Sequence, residues 1–254
     1  AQESRGLGDV YKRQVIGAFG YLGDEICRAL WTHEGFNLVT ALDHDDSLDE
    51  MEDAEVVVVL SPLDRLVETI SWCVSNGKHV VALDGGLARD DIDCLERAAV
   101  KRPEVGVVLS DTFSLGAALE REFAVRAARL FDSVDVIDAH DLTKRPGASV
   151  ASLSTARAIS AAADPEVTDS RSGLSTRGAI EDRRSSHEQV PVHTLQLQGE
   201  AVEQSVHFSA PGEELIIRSH VRDAAGNVSG VLRAIRYAVE HPGLTVGLMP
   251  VLET

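Results

Sequence analysis

Val15-Ile16-Gly17-Ala18-Phe19-Gly20-Tyr21-Leu22-Gly23 runs a short apolar strand into a G-x-x-G-x-x-G series, and an amphipathic stretch over residues 24–33 follows. Glycines between a strand and a helix let the backbone approach a pyrophosphate, toward which the helix turns its free N–H groups and positive dipole end. Asp43 lies 20 residues beyond Gly23, at the end of the next apolar run, residues 36–42. A carboxylate there accepts hydrogen bonds from a ribose diol. The pattern predicts a dinucleotide site made of Gly17, Gly20, Tyr21, Leu22, Gly23 and Asp43.

Cofactor choice turns on the 2′-phosphate. Asp43 is followed by His44, Asp45 and Asp46, and the turn offers Phe19 and Tyr21 rather than a basic side chain. Clustered carboxylates repel a phosphate, so NADH is expected to be preferred, with NADPH usable if an Arg or Lys arrives from elsewhere in the fold.

Outward from this unit the alternation continues. Residues 54–60 hold an unbroken β-branched run, Val56 to Val59, and read as a strand buried on both faces. A helix over 66–76 closed by Gly77, a strand over 79–83, a helix over 89–101 and a strand over 105–110 follow. Together they predict an α/β fold with a Rossmann-type doubly wound parallel sheet. After Thr112 the pattern changes to a helix over 115–131, a strand over 135–139, a polar segment over 142–150 and another helix. Residues 165–189 are rich in Ser, Arg, Asp and Glu without periodicity and are expected to form a long loop. Strands over 192–199, 204–209 and 214–220, a helix over 228–240 and a short apolar tail complete the chain. The expected organisation is a dinucleotide-binding domain of residues 15–112 and 221–254, with an inserted α+β domain of helices and antiparallel strands over 113–220. Residues 1–14 resemble a translated sequencing-adapter string and are expected to be a non-native leader that displaces part of the first strand.

With 24 Lys and Arg against 41 Asp and Glu, the net charge of −17 argues against a nucleic-acid partner. The longest apolar runs, such as residues 56–60, are far too short to cross a bilayer, so no membrane partner is expected. Cys27, Cys73 and Cys94 are odd in number and widely spaced, which points away from a disulfide framework or a zinc site and toward a reducing cytoplasm. No metal is expected.

The segment Val136-Ile137-Asp138-Ala139-His140-Asp141-Leu142-Thr143-Lys144 joins the glycine turn and the inserted domain in a familiar combination. From Val15 onward the chain resembles the 4-hydroxy-tetrahydrodipicolinate reductase family, also called dihydrodipicolinate reductase. The actinobacterial members are the most similar, through residues 127–133, Val190-Pro191-Val192-His193 and the ending over 241–247. The resemblance implies reduction of a cyclic unsaturated dicarboxylate in lysine and diaminopimelate synthesis with a nicotinamide cofactor, by a homotetramer joined through the second domain. It implies that His140 is the acid and Lys144 the cation supporting it. Negative charge left on a conjugated carbon by hydride addition is quenched or stabilised by such groups.

The family signature continues from a His-His pair to Asp-Ala-Pro-Ser-Gly-Thr-Ala, and here it departs. Asp141 replaces the second His, Val150 and Ala151 replace Gly-Thr, and Ser149 survives as a substrate-binding candidate, with Arg145 as a compensating cation. The family's nicotinamide-side Gly-Thr-Thr-Gly-Phe reads Leu83-Asp84-Gly85-Gly86-Leu87, and its Ala-Pro-Asn-Phe-Ser reads Ser110-Asp111-Thr112-Phe113-Ser114. Gly86 and Phe113 are carried over as cofactor contacts, while Asp84 beside a nicotinamide is unexpected. These departures leave two alternatives to the family activity: a related oxidoreductase acting on another small substrate, and a cofactor-binding homologue without catalysis.

Overall fold

Val56, Val57, Val58 and Val59 are all buried, as β-branched residues must be when helices cover both faces of their strand. They form β3, the third strand of a six-stranded parallel sheet. The others are β1 (Tyr11–Ile16), β2 (Phe36–Leu42), β4 (His79–Leu83), β5 (Gly106–Ser110) and β10 (Gly243–Val246). The order across the sheet is β2-β1-β3-β4-β5-β10. Helices α1 (Tyr21–Thr32), α2 (Leu63–Ser75) and α3 (Arg89–Val100) make the connections, and α6 (Val228–Glu240) packs on β3, β4 and β5. Leu66, Ile70, Cys73, Val74 and Leu95 of α2 and α3 meet Val57, Val59, Val80, Ala82, Val107 and Leu109 of the sheet in one core. This is the Rossmann-type α/β fold. The computed structural model describes residues 11–18, 20–43, 46–47, 53–60, 63–141, 147–162, 190–198 and 202–254.

Two details differ from the sequence expectation. The first strand begins at Tyr11, not Val15: residues 11–14 pair with β2 from Tyr11↔Phe36, with a register irregularity between Arg13 and Gln14, and with β3 from Arg13↔Val56. Backbone pairing on both sides needs no apolar side chain, so the polar Tyr-Lys-Arg-Gln run is held as strand. The apolar tail contains β10, which extends the sheet beyond β5 with Gly243↔Gly106 to Val246↔Leu109, and a one-turn helix, α7 (Met249–Leu252). Four residues carry no readable period.

The chain divides into a unit of residues 1–115 and 224–254 and a unit of residues 116–223. The second unit carries α4 (Leu115–Ala127, which begins at the boundary), α5 (Val150–Ala162) and a four-stranded sheet. Its strands are β6 (Ser133–Asp141), β7 (Val192–Leu197), β8 (Val202–Ala210) and β9 (Glu213–Val221), ordered β7-β6-β8-β9. The sheet is mixed rather than antiparallel throughout, because β7 returns parallel to β6 while β8 and β9 form an antiparallel meander. Val134, Val136, Val206 and Phe208 face Ala124, Ala128, Ala156 and Ile159 in a second core. The loop expected over 165–189 lies outside the described residues. Among those described, no helix is long and apolar enough to cross a membrane.

Candidate functional site

The sheet order reverses at β1, whose neighbours β2 and β3 are reached by connections leading to opposite sides, and ligands of open α/β sheets bind at the carboxyl end of such a point. Gly17 sits there with φ +78, and a Cβ on it would lie 3.0 Å from the Leu60 carbonyl oxygen. Gly17 and Ala18 donate backbone N–H bonds of 2.9 and 3.1 Å to the Leu42 carbonyl, pinning the turn beside Asp43. The remaining glycines have different reasons. A Cβ on Gly23 would stand 2.1 Å from the Gly17 oxygen, so this glycine lets α1 lie against the turn. At Gly20 the nearest atom to such a Cβ is the Gly17 oxygen at 3.6 Å. Gly20 is therefore open, exposed, and the N-cap of α1 without a side-chain cap.

That combination fits the pyrophosphate of a dinucleotide: an approachable backbone, followed by first-turn N–H groups of Tyr21, Leu22 and Gly23 that have no intrahelical acceptor. The Tyr21 hydroxyl accepts a 3.2 Å bond from the Ala224 N–H, tying the helix start to the returning chain. The Asp43 N–H donates to Asp46 Oδ2 at 2.7 Å, so a second carboxylate sits beside the end of β2. His44 and Asp45 lie outside the described residues.

Asp84 also finds its reason. Its Oδ1 accepts the N–H groups of Gly86 (2.8 Å) and Leu87 (2.7 Å), closing a turn in which Gly86 has φ +102. Phe113 is wholly buried, which leaves only its main chain for any ligand. Its carbonyl oxygen lies 2.0 Å from where a Cβ on Gly230 of α6 would be.

In the second unit, alternation along β6 puts Val134, Val136, Asp138 and His140 on the face covered by helices. The layer changes from apolar to polar at Asp138. There one row runs Thr194, Asp138, Gln204, Ser219 across β7, β6, β8 and β9. Above this row, Gln204 Nε2 and Arg121 Nε both donate to Thr155 Oγ1, at 3.1 and 3.2 Å, and Glu120 of α4 accepts from the Ser219 hydroxyl. His140 is 3% exposed, with Nδ1 3.6 Å from Asp138 Oδ2. Ser149 is the N-cap of α5: its Oγ accepts the Ser152 N–H at 3.1 Å and also bonds the Ser152 hydroxyl. A hydroxyl pair thus occupies the first turn of α5, one residue beyond Ala151, where the family signature has Thr. The N–H groups of Val150 and Ala151 lack intrahelical acceptors, as at any helix start. Lys144 and Arg145 lie outside the described residues.

The sequence reading passed over Glu120, Gln204 and Asp138. Burial pushes the Glu120 carboxyl up from 4.5 to about 7, against the opposing pull of Ser219, Gln204 and Arg121. The folded state therefore holds this proton more tightly than the unfolded chain. Stability from this group is full below about pH 4.5 and declines as pH rises toward about 7, by on the order of 3 kcal/mol. Glu120→Gln is expected to remove that decline and to be the more stable protein at pH 8; urea unfolding across this range measures it, and parallel curves for the two proteins would refute the assignment.

A family model described as "Dihydrodipicolinate reductase, C-terminus" matches residues 116–252. The 4-hydroxy-tetrahydrodipicolinate reductase of Cutibacterium acnes is 32% identical over 244 residues, covering 93% of this chain and 96% of that protein. The enzyme of the same name from Streptomyces griseus is 34% identical over 237 residues, covering 92% and 94%. Among solved structures, dipicolinate-bound dihydrodipicolinate reductase from Paenisporosarcina sp. TG-14 superposes with a TM-score of 0.74 at 21% identity, covering 94% of this chain and 98% of that one. The family model takes in the second unit with His140 and Ser149, and the relatives cover more than nine-tenths of the chain: this chain belongs to the dihydrodipicolinate reductase family.

Proposed function

We propose that the protein reduces 4-hydroxy-tetrahydrodipicolinate, a cyclic unsaturated dicarboxylate of lysine and diaminopimelate synthesis, preferring NADH to NADPH. The observation that carries this reading is the family match over residues 116–252, a span that contains His140, Lys144 and Ser149.

Gly17, Gly20, Tyr21, Leu22 and Gly23 would hold the pyrophosphate, Asp43 the ribose diol, and Gly86 with the Phe113 main chain the nicotinamide side. A bound reduced nicotinamide supplies hydride. His140 delivers a proton to the carbon or nitrogen that gains charge, and Lys144 lowers the energy of that charge. The start of α5, with the Val150 and Ala151 N–H groups and Ser149, receives a substrate carboxylate as an anion at a helix N-terminus, assisted by Arg145. Asp141 adds a negative charge next to His140 in the sequence, and Ala151 offers no hydroxyl. Both lower affinity for the dicarboxylate relative to a family member with the full signature.

Assembly into a homotetramer through the second unit is supported by the sheet face turned away from α4 and α5. Leu195, Leu197 and Ile216 are exposed there among ion pairs such as Asp135 with His193. A reducing cytoplasm suits the three cysteines, none of which is paired.

Mixing purified protein, NADH or NADPH, and freshly made substrate tests the reading. Oxidation of NADH is expected, with kcat/KM roughly tenfold above that for NADPH, the effect of about 1.4 kcal/mol of repulsion between Asp43 and a 2′-phosphate. Absence of turnover with either cofactor would remove the proposal, and equal use of both would remove the preference.

A further inference from the structure

Asp138 is 1% exposed on a strand face that is otherwise apolar on one side of it, and burying a carboxylate there is expensive unless it is compensated. Its Oδ2 accepts the Ser149 N–H at 2.5 Å, and the same oxygen stands 3.6 Å from His140 Nδ1. Among the described residues, Oδ1 has no hydrogen-bond partner, and neither does either ring nitrogen of His140. Two residues apart on β6, the carboxylate and the imidazole share a face.

A structural duty alone does not call for this charge. The first turn of α5 is already capped by Ser149 Oγ, and the Ser149 N–H could be satisfied by any neutral acceptor. What requires a carboxylate is a partner that carries or acquires positive charge, and His140 Nδ1 is the group that faces it.

Resting on the reductase reading of His140, we propose that Asp138 is a positioning residue: one carboxylate oxygen holds the proton of His140 Nδ1 and the start of α5 together, which fixes the ring and assigns proton transfer to Nε2. The acid and the helix start that receives the substrate carboxylate are thereby fixed to each other through a single side chain. Asp138 itself touches neither substrate nor cofactor.

Two measurements on the full chain test this. Isotope-labelled histidine, with the His140 signals identified by their loss in His140→Gln, reports whether Nδ1 carries a proton; a protonated Nδ1 is expected. Asp138→Asn keeps the shape and the acceptor for Ser149 but removes the charge. It is expected to lower kcat roughly ten- to a hundredfold, as when a charge-assisted hydrogen bond is lost, with KM for NADH and the melting temperature nearly unchanged. A bare Nδ1 in the parent, or an Asn variant with parental kcat, overturns the proposal. If the parent does not turn over, the reductase reading falls, and the state of Nδ1 alone decides whether Asp138 orients the ring. The same measurement decides it if the Asn variant fails to fold.

Discussion

A single methyl group on Gly23 is expected to disrupt the first unit. In Gly23→Ala the new Cβ would lie 2.1 Å from the Gly17 oxygen and 2.7 Å from the Ala18 oxygen, both backbone atoms of the turn. Neither can give way without lifting α1 from the sheet or breaking the bonds from Gly17 and Ala18 to the Leu42 carbonyl. Overpacking against backbone costs about 3 kcal/mol or more, a large fraction of a typical domain's stability. Gly20→Ala is the control, because its Cβ meets nothing closer than 3.6 Å. It should fold like the parent, and Gly20→Val should fold yet lose NADH affinity by obstructing the approach of a pyrophosphate. Urea unfolding and calorimetry separate the two effects. A Gly23→Ala protein as stable as the parent would mean that α1 does not pack on the turn as described.

His140→Gln is expected to lower kcat by roughly a hundred- to ten-thousandfold, the usual contribution of a positioned acid, while NADH binding is retained. Glutamine keeps most of the volume and can hydrogen-bond Asp138, so the core of the second unit need not collapse. NADH binding is the internal control, because the glycine turn belongs to the other unit. Full turnover by the variant would place the acid elsewhere, and Lys144→Ala in the same assay would show whether that residue carries the function instead.

The first βαβ unit was legible because its signals are local: glycine spacing, a helical period and an acid at the end of the second strand. The beginning of β1 was not, since Tyr11-Lys12-Arg13-Gln14 has no strand pattern and is held by backbone pairing to β2 and β3. The parallel seating of β7 was also hidden, because alternation tells which residues share a face and not which neighbour a strand takes. Within the second unit, His140 was singled out through the resemblance of its segment to the family signature, yet Asp138 lay on the same alternation and was passed over. A buried acid violates the pattern by which strands are read. Glu120 escaped for a related reason: in Leu119-Glu120-Arg121-Glu122 the charges suggest a solvated face, and only tertiary packing turns Glu120 inward. The replacement of Gly-Thr by Val150-Ala151 read as simple loss, whereas Ser149 and Ser152 supply the hydroxyls of that helix start.

The first sheet is completed from the far end of the chain: Gly243 and Gly247 donate to the carbonyls of Val105 and Leu109, and α6 brings Val231, Leu232, Ala234, Ile235 and Ala238 to the core. On the ribosome this imposes an order. Strands β1 to β5 leave the exit tunnel early, with one face of the valine-rich centre bare and β5 still an open edge. The 108 consecutive residues of the second unit, 116–223, then emerge and are free to fold while the first unit waits. Only after residues 228–246 have emerged can the first sheet close, so its five earlier strands mature after the second unit and are the longer exposed to chaperones and to their own neighbours.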